Sequence, residues 1–335
     1  RINKLEGFTV ELFDLLKFKI VRRGIRIAFP EATDTRILSA VARLKGEELV
    51  DPVLIGKRAD IEQAATVRGI NIASFTIYDP YDCERWDEVV DAFVEVRKGK
   101  ITREQAEVLL KDENYFGTML THMGITDGLV SGAIHSTGDT VRPALQIIKT
   151  KPGISRTSGA FLMMRGNEQE KYLFADCAIN VSPSPQELAE IAIASAATAK
   201  MFDIDPKVVM LSFSTKGSAK APQADATIEA TRIAQALAPD LVIDGELQFD
   251  AAYNQSVAQL KAPESDVAGK ANVYVFPDLQ SGNIGYKLAQ RLGNFEAIGP
   301  ILQGLNKPIS DLSRGCNEED VYKLSIITAA QTLND

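Results

Sequence analysis

Residues 308–320 place three reactive side chains within about one turn of a predicted helix start. Ser313 and Arg314 stand in a loop, and Asp320 falls at the third position of a helix that Asn317 is expected to cap. A helix N-terminus offers free N–H groups and a positive dipole, so a hydroxyl, a guanidinium and a carboxylate there could bind an anion and move a proton. An acidic first turn is also ordinary helix chemistry, so the spacing alone leaves a structural role open.

A second candidate site follows the predicted strand 128–132. Small residues in the loop 131–143 let the backbone approach a phosphate, and an arginine can bind one with two hydrogen bonds. A helix-capping loop, with its arginine in a structural ion pair, explains the same pattern. The candidate substrate-binding residues here are Ser131, Gly132, His135, Ser136, Thr137 and Arg142.

Two further turns resemble phosphate-binding loops. Residues 214–220 follow a predicted strand and contain two lysines, and residues 281–285 form a predicted strand-to-helix turn. Neither is a GxxxxGK[ST] loop, but backbone N–H groups could still hold phosphates there. A solvated turn is the alternative for each. The candidates in the first turn are Ser214, Thr215, Lys216 and Gly217.

Several other site classes lack support. His122 and His135 are the only histidines, and no Cys or Asp/Glu grouping at ligand spacing lies near them in the sequence, so we expect no metal site. The sequence contains no GxSxG, and no GxGxxG follows its first predicted strand. The 3 cysteines are far apart and form no CxxC pair, which favours a reducing, cytoplasmic setting. Cys177 is expected to be a buried structural thiol.

Composition narrows the possible partners. The chain has 335 residues, 45% hydrophobic and 24% charged, with a formal net charge of -8. An acidic surface argues against nucleic acid or an anionic membrane as partner, and no apolar run approaches the ~20 residues of a membrane span. No signal peptide is recognised. Residues 1–10 precede the first predicted helix, and we expect them to be an addition to the natural chain.

Strand-like and helix-like segments alternate along the chain and must position these side chains. Short buried runs at 24–30, 52–56, 75–78 and 128–132 alternate with amphipathic helices, and the second half repeats this order. We therefore predict an α/β protein with largely parallel sheets flanked by helices. Its length suggests two lobes. We place the first at residues 1–152 plus 305–335, including the C-terminal helix, and the second at residues 153–304.

These motifs together resemble the phosphate acetyl/butyryltransferase family, and the matching stretches span nearly the whole chain. They are residues 112–119, 131–143, 174–180, 201–204, 211–220 and 283–320. The resemblance implies two lobes of the isocitrate/isopropylmalate-dehydrogenase kind, an active site between them and a homodimer. It also implies reversible acetyl transfer between acetyl phosphate and coenzyme A (CoA), with CoA as co-substrate and no permanently bound cofactor.

The resemblance assigns roles to individual residues. The family's catalytic base matches Asp320, and its serine and arginine match Ser313 and Arg314. Two further family arginines match Arg142 and Arg97. Asp320 would then take the proton of the CoA thiol, although a helix N-terminus and a nearby arginine both weaken a carboxylate as a base. We therefore expect burial to offset these two effects.

Three rival interpretations remain at this point. Butyryl transfer differs only in acyl-pocket volume, which sequence does not determine. A non-catalytic, acetyl-CoA-sensing domain is disfavoured because Ser313, Arg314 and Asp320 are intact. A metal-dependent decarboxylating dehydrogenase would need an acidic metal cluster and a nicotinamide site, and the sequence offers neither.

Overall fold

The computed structural model describes residues 11–334, and the chain divides into two compact units. The first unit comprises Arg1–Thr150 and Leu305–Asp335, and the second comprises Lys151–Gly304. The segment 1–10, for which we expected an origin outside the natural chain, lies outside the described residues. Within the described residues, no helix is long and apolar enough to cross a membrane.

The first unit contains a parallel sheet of five strands in the order β3-β2-β1-β4-β11. The strands are β1 (Arg26–Phe29), β2 (Asp51–Ile55), β3 (Thr76–Tyr78), β4 (Gly128–Ser131) and β11 (Ile309–Asp311). The helices are α1 (Leu12–Ile20), α2 (Thr35–Gly46), α3 (Arg58–Arg68), α4 (Trp86–Arg97), α5 (Arg103–Leu109), α6 (Glu113–His122), α7 (Thr137–Pro143) and α13 (Glu318–Gln331). A π-helical segment, Ala144–Ile148, continues α7.

The order of this sheet sets where the candidate site lies. Strands β1, β4 and β11 are neighbours and run parallel, with Asp311 paired in register with Ser131. Their carboxyl ends therefore meet at one edge of the sheet, which is where ligands bind in open parallel sheets. The loops that leave this edge begin at Pro30, Gly132 and Leu312. They carry most of the predicted site.

The second unit contains a mixed sheet in the order β10-β5-β6-β9-β7-β8. Strand β5 pairs antiparallel with both of its neighbours, and the remaining pairs are parallel. The strands are β5 (Ser158–Arg165), β6 (Glu170–Ala175), β7 (Lys207–Leu211), β8 (Val242–Leu247), β9 (Val273–Val275) and β10 (Glu296–Gln303). The helices are α8 (Pro185–Met201), α9 (Pro222–Leu237), α10 (Phe249–Tyr253), α11 (Gln255–Lys261) and α12 (Leu279–Leu292).

The predicted fold class is confirmed, because both sheets are mostly parallel and flanked by helices. The prediction for residues 281–285 is wrong. This segment lies inside α12, which is capped by Asp278. Its Gly282 packs so closely that an added Cβ would lie 2.2 Å from the Asp176 carbonyl oxygen. The glycine therefore allows close packing of a helix and does not open a phosphate-binding turn.

Candidate active site

The first turn of α13 contains Asp320 in a capping box. Asn317 Oδ1 accepts from the Asp320 N–H at 2.9 Å, and Asp320 Oδ2 accepts from the Asn317 N–H at 2.9 Å. The residue is exposed, in contrast to the burial we expected. Within residues 11–334 its Oδ1 has no hydrogen-bond donor. One carboxylate oxygen thus caps the helix, and the other is available for a further contact.

Ser313 and Arg314 lie in the exposed loop before this helix. Ser313 Oγ accepts from the Gly315 N–H at 3.2 Å, which closes a tight turn. The Arg314 guanidinium has no hydrogen-bond or ion-pair partner among the described residues. Its backbone is fixed by Arg36, whose Nη1 donates to the Arg314 carbonyl at 2.9 Å and to the Cys316 carbonyl at 3.0 Å. A fixed backbone and a free guanidinium suit the binding of an anion.

Arg36 also joins this loop to the loop after β4. Its Nη2 donates to the Ala133 carbonyl at 2.8 Å and to Asp34 Oδ2 at 2.8 Å. Asp34 caps α2, and the Arg36 hydrogen bond lowers the pKa of its carboxyl. One guanidinium therefore spans both loops, with a carboxylate to balance its charge.

Glu31 holds the loop after β4 from beneath. Its fully buried carboxylate accepts from the N–H groups of Ala133, Ile134 and His135 at 2.8, 2.9 and 2.9 Å, and it contacts His135 Nδ1 at 2.7 Å. Burial opposes ionisation, but the His135 contact and these N–H groups together lower the pKa of Glu31. The same contact raises the pKa of His135. Nδ1 of His135 is therefore occupied by its contact with Glu31.

Two hydroxyls in this loop that were predicted to bind substrate are hydrogen-bonded to other side chains of the protein. Ser131 Oγ is buried and donates to Asn114 Oδ1 at 2.7 Å. Ser136 caps α7 and donates to Asp139 Oδ2 at 2.6 Å. Thr137 is exposed at the first position of α7. Of these three hydroxyls, that of Thr137 is the one presented to solvent.

Asp311, at the end of β11, is buried directly under this loop. Neither of its carboxylate oxygens has a hydrogen-bond partner within the described residues, and neither does the buried hydroxyl of Thr140. Gly132 has a φ of +109°, and an added Cβ there would lie 2.4 Å from Asp311 Oδ1. Burial raises the pKa of Asp311 to about 6. Sequence reasoning missed this residue, since we interpreted its segment as a loop.

Arg97 and Arg142 both act on the hydroxyl of Tyr115. Burial raises the pKa of the Tyr115 hydroxyl, while both guanidinium groups act to lower it, so both lie near that hydroxyl. Tyr115 donates to Gln146 Oε1 at 3.0 Å. Within residues 11–334 neither arginine has a carboxylate partner, and Arg97 Nε is buried without any partner. The structural ion pair considered for Arg142 is therefore absent there, and neither guanidinium is paired with a carboxylate.

The predicted loop of the second unit uses its donors internally. Ser214 Oγ and the Gly217 N–H both donate to Glu246 Oε1, at 2.9 and 2.7 Å. Lys216 forms an ion pair with Asp244, and Thr215 bonds to Gln248 at 3.1 Å. These groups stabilise the loop in the conformation seen. The described residues contain no group of three or more His, Cys, Asp or Glu side chains placed to hold a metal ion.

Comparison with known proteins decides the family. The sequence profile described as phosphate acetyl/butaryl transferase matches residues 11–329. The chain belongs to this family. It is 59% identical, over 96% of its length and 99% of the relative, to a phosphate acetyltransferase from Bacillus subtilis (strain 168). The predicted resemblance is therefore confirmed.

Solved structures agree with this family assignment. A phosphotransacetylase from Streptococcus pyogenes has a TM-score of 0.95 and 62% identity, covering 97% of this chain and 98% of its own. A 4-hydroxythreonine-4-phosphate dehydrogenase from Burkholderia phymatum has a TM-score of 0.54 at 12% identity, covering 92% of this chain and 98% of its own. At that identity the second likeness shows a shared fold alone.

For this member of the family, sequence reasoning missed four side chains that organise the site. They are Glu31, Arg36, Asn114 and Asp311. Glu31 and Arg36 sit just after β1, at the sheet edge from which ligand-binding loops were expected, so the strand order gives a partial signal. No local pattern points to their partners, because Glu31 and His135 are 104 residues apart and Arg36 and Arg314 are 278 apart.

Proposed function

We propose that this protein is a phosphate acetyltransferase, which moves an acetyl group reversibly between acetyl phosphate and CoA. The observation that carries the proposal is the set Ser313, Arg314 and Asp320 at one helix start, in a chain 59% identical to a relative bearing that name. An exposed guanidinium without a partner among the described residues, in the loop that leads to an exposed carboxylate, fits a reaction between an acyl phosphate and a thiol.

Asp320 would act as the base in this proposal. A free thiol has a pKa of ~8.5, so only a few per cent is thiolate at neutral pH, and a positioned base contributes ~10²–10⁴-fold. Oδ1 is the oxygen left to receive the proton, since Oδ2 accepts from the Asn317 N–H. Because the carboxylate is exposed without substrate, the desolvation that strengthens it as a base must come from the bound substrates.

Arg314 and Ser313 would act on the acetyl phosphate. The thiolate attacks its carbonyl carbon, the bond from that carbon to the bridging oxygen breaks, and phosphate leaves with the bonding pair. Arg314 holds the phosphoryl oxygens through two N–H donors and balances the charge on departing phosphate. Ser313 Oγ accepts from the Gly315 N–H, so its proton is free to stabilise the thiol sulfur or the developing oxyanion. Acetyl passes directly between substrates, in a ternary complex.

The phosphates of CoA are proposed to bind elsewhere in the first unit. Arg97 and Arg142 act on Tyr115 and have no carboxylate partner among residues 11–334. The loop after β4 supplies further proposed substrate contacts in the first unit, and the predicted loop at 214–217 is proposed to bind substrate in the second unit. The second of these loops would have to exchange its present contacts with Glu246 and Asp244 for contacts with substrate.

The direct test follows thioester absorbance with CoA and either acetyl phosphate or butyryl phosphate, without added metal or nucleotide. We expect fast acetyl transfer and slower butyryl transfer. A preference for butyryl phosphate would favour the sister activity, and binding of acetyl-CoA without turnover would favour a sensing domain. Exchange of phosphate into acetyl phosphate in the absence of CoA would indicate a covalent enzyme intermediate and contradict the ternary-complex mechanism.

We further propose a homodimer in the cytoplasm that takes part in acetate metabolism. Family resemblance supports the dimer. The described cysteines, Cys83, Cys177 and Cys316, are free thiols, which supports a reducing compartment. Light scattering of the purified protein tests the dimer, because a monomer mass at micromolar concentration contradicts it. Fractionation of cells tests the location.

A further inference from the structure

The buried carboxyl of Asp311 has chemistry that the proposed reaction does not use. It is 1% exposed, and both of its oxygens lack a hydrogen-bond partner within the described residues. The neighbouring Leu312 N–H is already bonded to the Ser131 carbonyl at 2.6 Å. A buried carboxylate without partners costs several kcal/mol, so this group either holds a proton or acquires a donor.

The hydroxyls of Thr137 and Thr140 are the side-chain donors that act on this carboxyl. Both lower its pKa, although neither forms a hydrogen bond with it in the present geometry. They lie one helical turn apart on α7, with Thr140 buried and Thr137 exposed. Of these two hydroxyls, that of Thr137 is on the exposed side of the loop, whose Gly132 packs directly against Asp311.

The charged surroundings favour the protonated form of Asp311. Glu31 raises the pKa of Asp311 and is the charged group that acts on it. His135 is bonded to Glu31, and Asp139 is bonded to Ser136. Burial is the largest cause of the raised pKa, which is about 6. The carboxyl is thus protonated below about pH 6 and loses its proton above it.

We propose that Asp311 is a positioning residue that sets which way the Thr137 hydroxyl donates, and through it the affinity for a phosphoryl group. A protonated Asp311 donates to Thr137 Oγ1 and accepts from Thr140, which leaves the Thr137 proton free to point out of the loop. An ionised Asp311 takes that proton for its own hydrogen bond, so only oxygen lone pairs face an incoming anion. The inference rests on the proposed function, in which this loop contacts acetyl phosphate.

The sign of the pH effect follows from this geometry. Because the anion needs Thr137 as a donor, its binding is accompanied by proton uptake at Asp311, and its affinity falls as the pH rises through the pKa of that group. In the limiting case the loss is about tenfold for each pH unit above the pKa. Asp311→Asn carries a permanent N–H donor in place of the acid proton. It should therefore keep high affinity at alkaline pH.

The test compares the KM for acetyl phosphate from pH 5.5 to 8.0 in five proteins: wild type, Asp311→Asn, Thr137→Val, Thr137→Ser and the double variant Asp311→Asn/Thr137→Val. The KM of each variant is divided by the wild-type KM at the same pH, which removes the contribution of substrate titration. We expect Asp311→Asn to match wild type within about twofold at pH 5.5 and to have a several-fold lower KM at pH 8.0. Thr137→Ser should keep the wild-type profile. Thr137→Val should raise the KM most at pH 5.5 and least at pH 8.0, where the wild-type hydroxyl is already bonded to ionised Asp311, and it should abolish the effect of adding Asp311→Asn.

Parallel pH profiles in wild type and Asp311→Asn would overturn the proposal. So would an equal effect of Asp311→Asn in the presence and absence of the Thr137 hydroxyl. If Asp311→Asn does not fold, the Thr137→Val and Thr137→Ser profiles still decide, because exposed Thr137 tolerates substitution. If the protein transfers no acetyl group, calorimetric titration with inorganic phosphate in buffers of different ionisation enthalpy tests the role of Asp311 independently of the proposed activity. Greater proton uptake in wild type than in Thr137→Val supports the role of Asp311, and equal uptake or no binding refutes it.

Discussion

Glu31→Gln should release the loop that follows β4. The carboxylate accepts from three backbone N–H groups, those of Ala133, Ile134 and His135, at 2.8 to 2.9 Å. A glutamine oxygen in the place of Oε1 can keep the last two, but its NH₂ then faces the Ala133 N–H. Two donors meet, and a buried N–H loses its partner.

The loss of local stability in Glu31→Gln follows from these contacts. An orphaned buried N–H costs about 1–3 kcal/mol, and the two remaining N–H bonds lose their charge assistance at about 0.5–1 kcal/mol each. The sum is about 2–5 kcal/mol of local stability. The pKa of Glu31 is lowered in the folded protein, so this stabilisation is complete above the ordinary glutamate pKa and is lost as the pH falls through the folded value. The difference between wild type and variant should therefore be full at pH 7 and shrink in acid.

Native-state hydrogen exchange of the amides of residues 133–135 measures this loss where it occurs. We expect their protection to fall by a factor of ~10²–10³ at pH 7, together with a lower pKa of His135 in NMR titration. Glu48→Gln is the matched control, since its exposed ion pair with Arg22 is worth about 0–1 kcal/mol. Unchanged protection in Glu31→Gln, or an equal loss in both variants, would refute the reasoning.

Three further outcomes are expected. Arg314→Lys should lose most thioester formation, because an ammonium does not reproduce two-point phosphate contact, and a near-normal rate would count against the role of Arg314. Gly132→Ala should lower the denaturation midpoint far more than Gly99→Ala, because a Cβ at Gly132 meets Asp311 at 2.4 Å while one at Gly99 meets nothing within 4 Å. Cys177, whose pKa is raised by burial, should react with a thiol reagent only after unfolding, and rapid modification of the folded protein would contradict its buried position.

Sequence patterns within a few residues mark some helix starts directly. The capping boxes of α8 and α5, which begin at Ser184 and Thr102, follow a short pattern that the sequence itself shows: a Ser or Thr with Glu or Gln three positions later. Such a signal can be read from the sequence because the cap residue and its partner are held together by local chain geometry alone. The short strand β11 was missed. It has three residues and only one large apolar side chain, Ile309, so no alternation distinguishes it from a loop.

The contacts that shape the site depend on the order of the sheet, which the sequence does not state. Asp311 becomes a buried acid only because β11 lies beside β4, which places Gly132 over it. Arg36 acquires its role only because α2 begins at the same sheet edge as the loop before α13. Such long-range juxtapositions leave no periodic trace along the chain. The resemblance to the family points to Ser313, Arg314 and Asp320 as candidates, but not to the side chains that hold their loops.

The most direct test of the account is the steady-state kinetics of Asp320→Asn with acetyl phosphate and CoA. Asparagine can still accept from the Asn317 N–H through its side-chain oxygen, so the capping box and the fold should survive. The account predicts a fall in kcat of ~10²–10⁴-fold with the KM values for both substrates little changed. A large rise in KM at unchanged kcat would show that Asp320 binds substrate and does not act as the base.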